Sequence, residues 1–404
     1  MDFSDTSEEA EYRETARAWL EANAPKEGLK PDRTGGADLD HHRAYQAKKA
    51  AAGYAQISWP KEWGGPGGTQ IQQVIFSQEE ARYNINSAYF SIGLGMCLPT
   101  VIACADEATK KRFVGPGLRG DEIWCQLFSE PSGGSDVAAA RTRAIRDGDG
   151  WVVNGQKIWT SGAHYSDFGI LLVRTNTEVP KHKGMTMFWV DMKSPGIEVR
   201  PIHQMSGQKG FNEVFFTDVR IPDSQRLGAV DDGWKVSLVT LMNERLSIGA
   251  GTAADSGAFI QLAREATIDG ESALRDATLR EKIADWYVQT EGLKHTRMRT
   301  ITALSKGQTP GPENSIAKII SAKQAQDVGA EAVDMLDQFG IIRDPDISPL
   351  GGLFQDQWMA GPGSRIAGGT DEILRNIIAE RVLGLPGDIR VDKDVAFKDM
   401  PTGR

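Results

Sequence analysis

The sequence predicts an α+β chain in three parts. A helical domain spans 1–121, a middle domain of antiparallel β-strands spans 122–228, and a helical bundle spans 229–404. Three observations predict this order. Apolar residues recur at helical spacing up to Leu118. From Glu122 they give way to short alternating runs bounded by turn residues. After Gly233 the helical spacing returns in long stretches with little punctuation.

In the first part, Ser4 and Asp5 precede acidic residues and the stripe Ala10, Ala16, Trp19 and Leu20, which is a helix start closed by Pro25. A second helical stretch covers 38–52 and ends at Gly53. The Pro- and Gly-dense segment from Ile57 to Gly68 excludes regular structure. Helices are expected next over 69–84, 88–105 and 109–118.

In the middle part, residues 123–128 read as a strand. Thr142 to Asp147 alternates, Asp147-Gly-Asp-Gly150 turns, and Trp151-Val-Val153 returns. Asn154-Gly155 reads as a hairpin turn before Gln156–Trp159. Further strands are expected over 167–175, 185–191, 197–201 and 212–219, a small antiparallel domain or barrel. In the third part, 234–266, 273–306, 314–339 and 370–383 carry Leu, Ile and Ala stripes and predict a helical bundle.

Composition narrows the function. The net charge of −9 argues against nucleic acid as the main partner. Cys97, Cys104 and Cys125 form neither a disulfide framework nor a metal spacing. No His and carboxylate cluster predicts a metal. Neither a cleavable apolar N-terminus nor a membrane-spanning run is visible, so a cytoplasmic location is expected.

Two stretches carry the chemistry. One reads Gln126-Leu-Phe-Ser-Glu-Pro-Ser-Gly-Gly-Ser-Asp136 and the other Asn154-Gly-Gln-Lys-Ile-Trp-Thr-Ser-Gly-Ala163. Taken alone, Ser-Gly-Gly-Ser is a surface turn. A Gly- and Ser-rich loop also offers free backbone N–H groups to a phosphate or a polar ring edge. Trp159, with Thr160 and Ser161 beside it, adds a stacking face and hydroxyls, as a flat, polar-edged cofactor needs.

Together these stretches resemble the flavin-binding signature of the acyl-CoA dehydrogenase family, and the resemblance continues into Gly368-Gly-Thr-Asp-Glu-Ile-Leu-Arg375. It implies that family's fold: a helical N-terminal domain, a central β-domain and a C-terminal four-helix bundle. It implies FAD as cofactor, an acyl-CoA thioester as substrate, an electron-transfer flavoprotein as acceptor and a role in fatty acid β-oxidation. The reaction would be α,β-desaturation: a base takes the α proton while flavin N5 accepts the β hydride.

Carried over residue by residue, Gln126, Phe128 and Ser129 would lie along the flavin ring. Gly134 and Ser135 would approach the pyrophosphate or the CoA arm. Trp159 would cover the ring, with Ser161 near N5. Thr370 and Glu372 would contact the cofactor, Thr370 at the pyrophosphate. Ser135, Asn243 and Arg245 match positions that meet CoA in relatives.

Many members place the catalytic Glu directly before Gly-Thr; this chain has Gly368 there. A second branch carries it in a Glu-Arg-Leu context on the first helix of the C-terminal domain, and this chain reads Asn243-Glu-Arg-Leu246. Leu241 and Ile248 share the Glu244 face at helical spacing, and apolar neighbours raise a carboxylate's pKa. Glu244 is therefore the expected base, with Arg245 beside it; Asp371 and Glu372 are its rivals. In homotetrameric relatives a neighbouring subunit grips FAD through an Arg and a Gly-Gly-x-Gly segment. The corresponding positions here are Arg264, Gln338 and Gly340, in a segment that reads Gln338-Phe-Gly-Ile-Ile-Arg343 and so departs from that pattern. A homo-oligomer, dimer or tetramer, is expected, with a heteromer as the alternative. A flavin oxidase or monooxygenase on the same scaffold, and a non-catalytic partner subunit, are the competing functions.

Overall fold

The computed structural model describes residues 5–26, 28, 38–83, 85, 88–248, 256–268, 270–305 and 311–400; within these, the side chains of 244–248, 256, 301, 304 and 305 are not described. The chain divides into two compact units, Met1–Glu244 with Ile389–Arg404, and Arg245–Asp388.

The first unit opens with helices α1 (Ser7–Asn23), α2 (Leu39–Ala51) and α3 (Gln70–Glu80). Capping boxes start α1 and α3: Thr6 with Glu9, and Thr69 with Gln72, each satisfy two orphan backbone donors. Helices α4 (Ala88–Ile92) and α5 (Leu98–Cys104) follow, separated by a π-helical turn at Gly93–Cys97 within the span expected as one helix. Helix α6 (Glu107–Arg119) is capped by Asp106 and ends at left-handed Gly120.

The strands are β1 (Trp124–Leu127), β2 (Arg143–Asp147), β3 (Gly150–Ser161), β4 (Phe168–Arg174), β5 (Met185–Asp191), β6 (Ile197–Pro201), β7 (Phe211–Pro222) and β8 (Arg226–Leu227), and α7 (Gly233–Ile248) follows them. Their order is β6-β7-β3-β2-β4-β5-β8, with β1 also paired to β4. Most neighbours are antiparallel, as expected, but β1 and β2 both run parallel to β4. Alternation sorts the side chains into two cores. Ile170, Leu172 and Met187 pack with Trp124 of β1 and with Leu98 and Phe113 of the helical part. Leu171, Val173, Phe188, Val153 and Val214 meet on the opposite face.

Asn154-Gly155 is not the expected turn: it lies inside β3, at a register shift against β7. Gly155 sits at φ 154°, and an added Cβ would meet the Thr142 Cα at 2.6 Å. The glycine permits a bulge and a close approach of β2, and Asp147–Gly150 alone makes the turn.

The second unit contains α8 (Ser256–Glu265), the small pair β9 (Thr267–Ile268) and β10 (Glu271–Ser272), α9 (Ala277–Ser305), α10 (Asn314–Met335), α11 (Leu353–Ile366) and α12 (Asp371–Ile377). Phe259, Leu262, Trp286, Val328, Ala332 and Phe354, drawn from α8 to α11, share one core. The sequence reading did not anticipate α11, which runs through Gly361, Pro362 and Gly363. These residues look like breakers, yet α11 packs closely on α10: a Cβ at Gly361 would lie 3.2 Å from the Gln326 Cα, and one at Gly329 of α10 would lie 3.0 Å from the Trp358 backbone nitrogen. Small residues are the condition for that approach.

The chain then returns to the first unit. Phe397 N–H donates to the Val179 carbonyl at 2.9 Å, and Asp392 accepts from Lys181 at 2.6 Å. Among the described residues no helix is long and apolar enough to cross a membrane, and no group of His, Cys, Asp and Glu is arranged to hold a metal.

Candidate functional site

The β unit brings the two motif stretches together. Strand β1 carries half-buried Gln126, and the chain leaves it through buried Phe128 and half-buried Ser129. Two consecutive carbonyls of this exit are drawn to β3: Ser129 O accepts from the Ile158 N–H at 2.9 Å, and Phe128 O accepts from Lys157 Nζ at 3.0 Å. Glu130 and Gly133 close a tight turn through reciprocal backbone bonds of 3.1 and 3.0 Å. The Glu130 carboxylate takes bonds from Lys157 Nζ at 2.7 Å, the Arg141 N–H at 2.6 Å and the Thr142 N–H at 2.9 Å. Burial alone would raise the pKa of Glu130; the Lys157 charge and these three donors outweigh it and leave it lowered. The sequence reading gave neither Glu130 nor Lys157 a role.

Gly134 and Ser135 sit exposed beyond that turn. Asp136 ends the loop in an ion pair with Lys181 at 2.7 Å, and Lys181 also holds Asp392. Behind it, buried Arg174 donates to the Ala138 and Lys181 carbonyls at 2.5 Å each and stacks over Phe397 at 3.9 Å. Burial holds its guanidinium down to about 10.

Trp159 stands where β3 shifts register a second time, between Lys157 and Thr160. Its φ is 58°, a left-handed conformation uncommon outside glycine, and its side chain is 55% exposed. Backbone strain thus presents a large aromatic face that no core needs. The Phe211 ring meets it edge-on at 6.0 Å. Next to it, Thr160 is buried, and among the described residues neither its Oγ1 nor the His164 Nε2 has a hydrogen-bond partner. Asn212 fixes this corner, donating to the Thr160 carbonyl at 2.8 Å and lying 3.1 Å from His164 Nδ1. Burial lowers the His164 pKa. Half-buried Ser161 ends the strand, paired with Phe211.

Helix α7 carries further candidates, at the boundary of the two units. Its buried stripe is Val236, Ser237 and Thr240, with Thr240 Oγ1 2.8 Å from Thr100 Oγ1. Asn243 Nδ2 donates to the Val239 carbonyl at 2.9 Å. Glu244 and Arg245 lie on the last turns of α7, and their side chains fall outside the described residues.

In the helical unit, Gly368 and Gly369 adopt φ 62° and 88°. Thr370 caps α12, accepting from the Ile373 N–H at 3.2 Å. Asp371 is buried and accepts from Arg365 at 2.7 Å, with Lys318 Nζ 3.7 Å away; Lys318 also donates to the Gly369 carbonyl at 2.7 Å. Glu372, Arg264 and Gln338 are exposed, whereas Gly340 is buried. Lys318 and Arg365 were not anticipated, since they lie far from Asp371 along the chain or outside the motif.

Comparison with known proteins gives the following. Family models described as acyl-CoA dehydrogenase N-terminal, middle and C-terminal domains match residues 6–121, 125–219 and 231–383. The acyl-CoA dehydrogenase IpdE1 of Mycobacterium tuberculosis is 36% identical over 395 residues, 94% of this chain and 98% of that protein. Acyl-CoA dehydrogenase FadE34 of the same organism is 34% identical over 341 residues, 84% of this chain, and the match spans only 46% of its greater length. Among solved structures, the Tcur3481-Tcur3483 steroid ACAD is similar with a TM-score of 0.79 at 27% identity, covering 96% of this chain and 100% of that one. The ChsE4-ChsE5 complex from Mycobacterium tuberculosis is similar with a TM-score of 0.77 at 26% identity and the same coverage.

Proposed function

The chain belongs to the acyl-CoA dehydrogenase family, and from that premise we propose that it desaturates a bulky acyl-CoA thioester with Glu244 as the α-proton base. It is an oxidoreductase, and the family binds FAD. The β unit fits such a group on its own geometry: an exposed aromatic face on a strained bulge, beside a buried hydroxyl and a buried ring nitrogen that have no hydrogen-bond partner among the described residues. Phe128, Ser129, Trp159 and Ser161 would hold the ring, and Gly134 and Ser135 the phosphates. FAD, when bound, supplies the hydride acceptor.

The observation that carries the choice of base is Gly368. The position before Gly-Thr has no side chain, so no carboxylate can act from it. Glu244 stands one helical turn after Thr240, on the line of the buried Ser237–Thr240 stripe of α7. A base for a weakly acidic carbon needs a dry setting that raises its pKa. Asn243 and Ser135 would meet the CoA arm, and Arg245 would orient Glu244.

The bulky substrate is supported by the similarity to a steroid ACAD, and steroid degradation takes the place of the expected role in fatty acid β-oxidation. A heteromeric assembly is favoured by the similarity to the ChsE4-ChsE5 complex and by the departure at Gln338-Phe-Gly340 from the pattern of homotetramers. The acceptor would be an electron-transfer flavoprotein.

The test is flavin bleaching with a panel of steroid-derived, branched and straight acyl-CoAs. The proposal expects strongest bleaching with the steroid-derived thioester, and Glu244→Gln should keep the flavin and lose the bleaching. Hydrogen peroxide formed in step with turnover would instead establish an oxidase.

A further inference from the structure

We propose that Lys157 is a positioning residue that turns and polarises the Phe128–Ser129 peptide, so that the Ser129 N–H is presented as a strong donor toward the edge of the flavin ring. The inference rests on the reading that sets Phe128 and Ser129 against that ring.

In a trans peptide the carbonyl and the N–H point in opposite directions. Lys157 Nζ holds the Phe128 carbonyl at 3.0 Å, so the Ser129 N–H of the same peptide faces away from Lys157. The next carbonyl, Ser129 O, is held at 2.9 Å by the Ile158 N–H, so both sides of Ser129 are fixed by adjacent residues of β3. A cation bonded to a carbonyl draws electron density through the amide and strengthens its N–H as a donor, more so away from water.

The placement of the lysine supports a purpose beyond packing. Lys157 is wholly buried on a strand whose other inward residues include Trp151 and Val153. An apolar side chain there would avoid the desolvation cost of an ammonium group. The chain instead carries Glu130 to balance it, and fixes Glu130 with two further N–H donors. Burial lowers the Lys157 pKa, against the opposing pull of Glu130. The register shift that exposes Trp159 begins at Lys157 itself, so one strand provides both the brace and the aromatic cover.

Three variants of the full chain test this. Lys157→Met with Glu130→Gln removes the buried charges as a pair and keeps the volume. Lys157→Gln keeps a donor without the charge. Ser129→Pro removes the N–H. Each is read by FAD dissociation constant and flavin midpoint potential. The first two should bind FAD about tenfold more weakly and shift the potential negative, because a weaker donor stabilises the electron-rich reduced ring less. A lower melting temperature with unmoved affinity and potential in either of them, while Ser129→Pro is impaired, overturns the role of Lys157 and leaves the ring placement standing. Unchanged affinity and potential in Ser129→Pro overturns the placement, and the inference with it.

Discussion

In the β unit, Glu130 and Lys157 hold the turn after β1 from inside the protein. In the helical unit, Asp371, Arg365 and Lys318 hold the Gly369–Thr370 turn from a partly open position. The side chains of Lys157 and Glu130 are 0% and 4% exposed, whereas Arg365 is 36% exposed. The two oxygens of Glu130 accept three bonds. Asp371 is as buried, yet among the described residues its Oδ1 accepts no hydrogen bond, and its ion-pair partner Lys318 stands off at 3.7 Å. The first cluster is fully paired within the protein; the second, among the described residues, is held at one oxygen by the looser Lys318 ion pair alone. A fully paired buried network fixes geometry and is costly to break, while a partly open one is adjustable and cheap to alter.

That contrast can be broken most visibly at Glu130. Glu130→Ala leaves Lys157 buried without its counter-charge and should destabilise the first unit by about 3–5 kcal/mol in urea unfolding. A loss below about 1 kcal/mol would mean that the pair is not closed to water. Acid sharpens the same point. Because the folded Glu130 titrates below its unfolded value of about 4.3, its contribution is complete above that pH and is lost as the pH falls further. Acid unfolding followed by intrinsic tryptophan fluorescence should show a steeper loss below about pH 4.3 in the wild type than in Glu130→Gln. The smallest effect belongs to the helical unit: Thr370→Ala removes the cap of α12 and should cost about 1 kcal/mol, read by thermal unfolding.

Much of the scaffold is written locally. The switch from helical to alternating spacing at Glu122, and back after Gly233, reflects which faces must be buried, and burial period is a property of short windows. The errors share a cause too. Asn154-Gly155 satisfies a turn and a bulge equally well until the position of Thr142 is known. Gly361, beside Pro362, looks like a helix breaker until it is seen against α10, where an added Cβ would lie 3.2 Å from the Gln326 Cα. The parallel pairing of β1 with β4 joins residues 44 positions apart, Trp124 with Phe168, which no window contains.

The site divides in the same way. Trp159 and Ser161 were legible as motif residues, but the left-handed backbone that exposes Trp159 was not. Lys157 did leave a signal: a lysine at an inward-facing position of an alternating strand implies a buried partner. Naming Glu130 as that partner needed the three-dimensional pairing. Glu244 was chosen from its context in the sequence, and its side chain lies outside the described residues.

The central claim is that Glu244 takes the α proton. An acyl-CoA with sulfur in place of the β-carbon has an acidic α proton and no β hydride to give, so it isolates that step. Incubated with the flavin-loaded protein in deuterium oxide and followed by mass spectrometry, it should gain α-deuterium with the wild type and not with flavin-loaded Glu244→Gln. Undiminished exchange in the variant would contradict the account and assign the proton to another group.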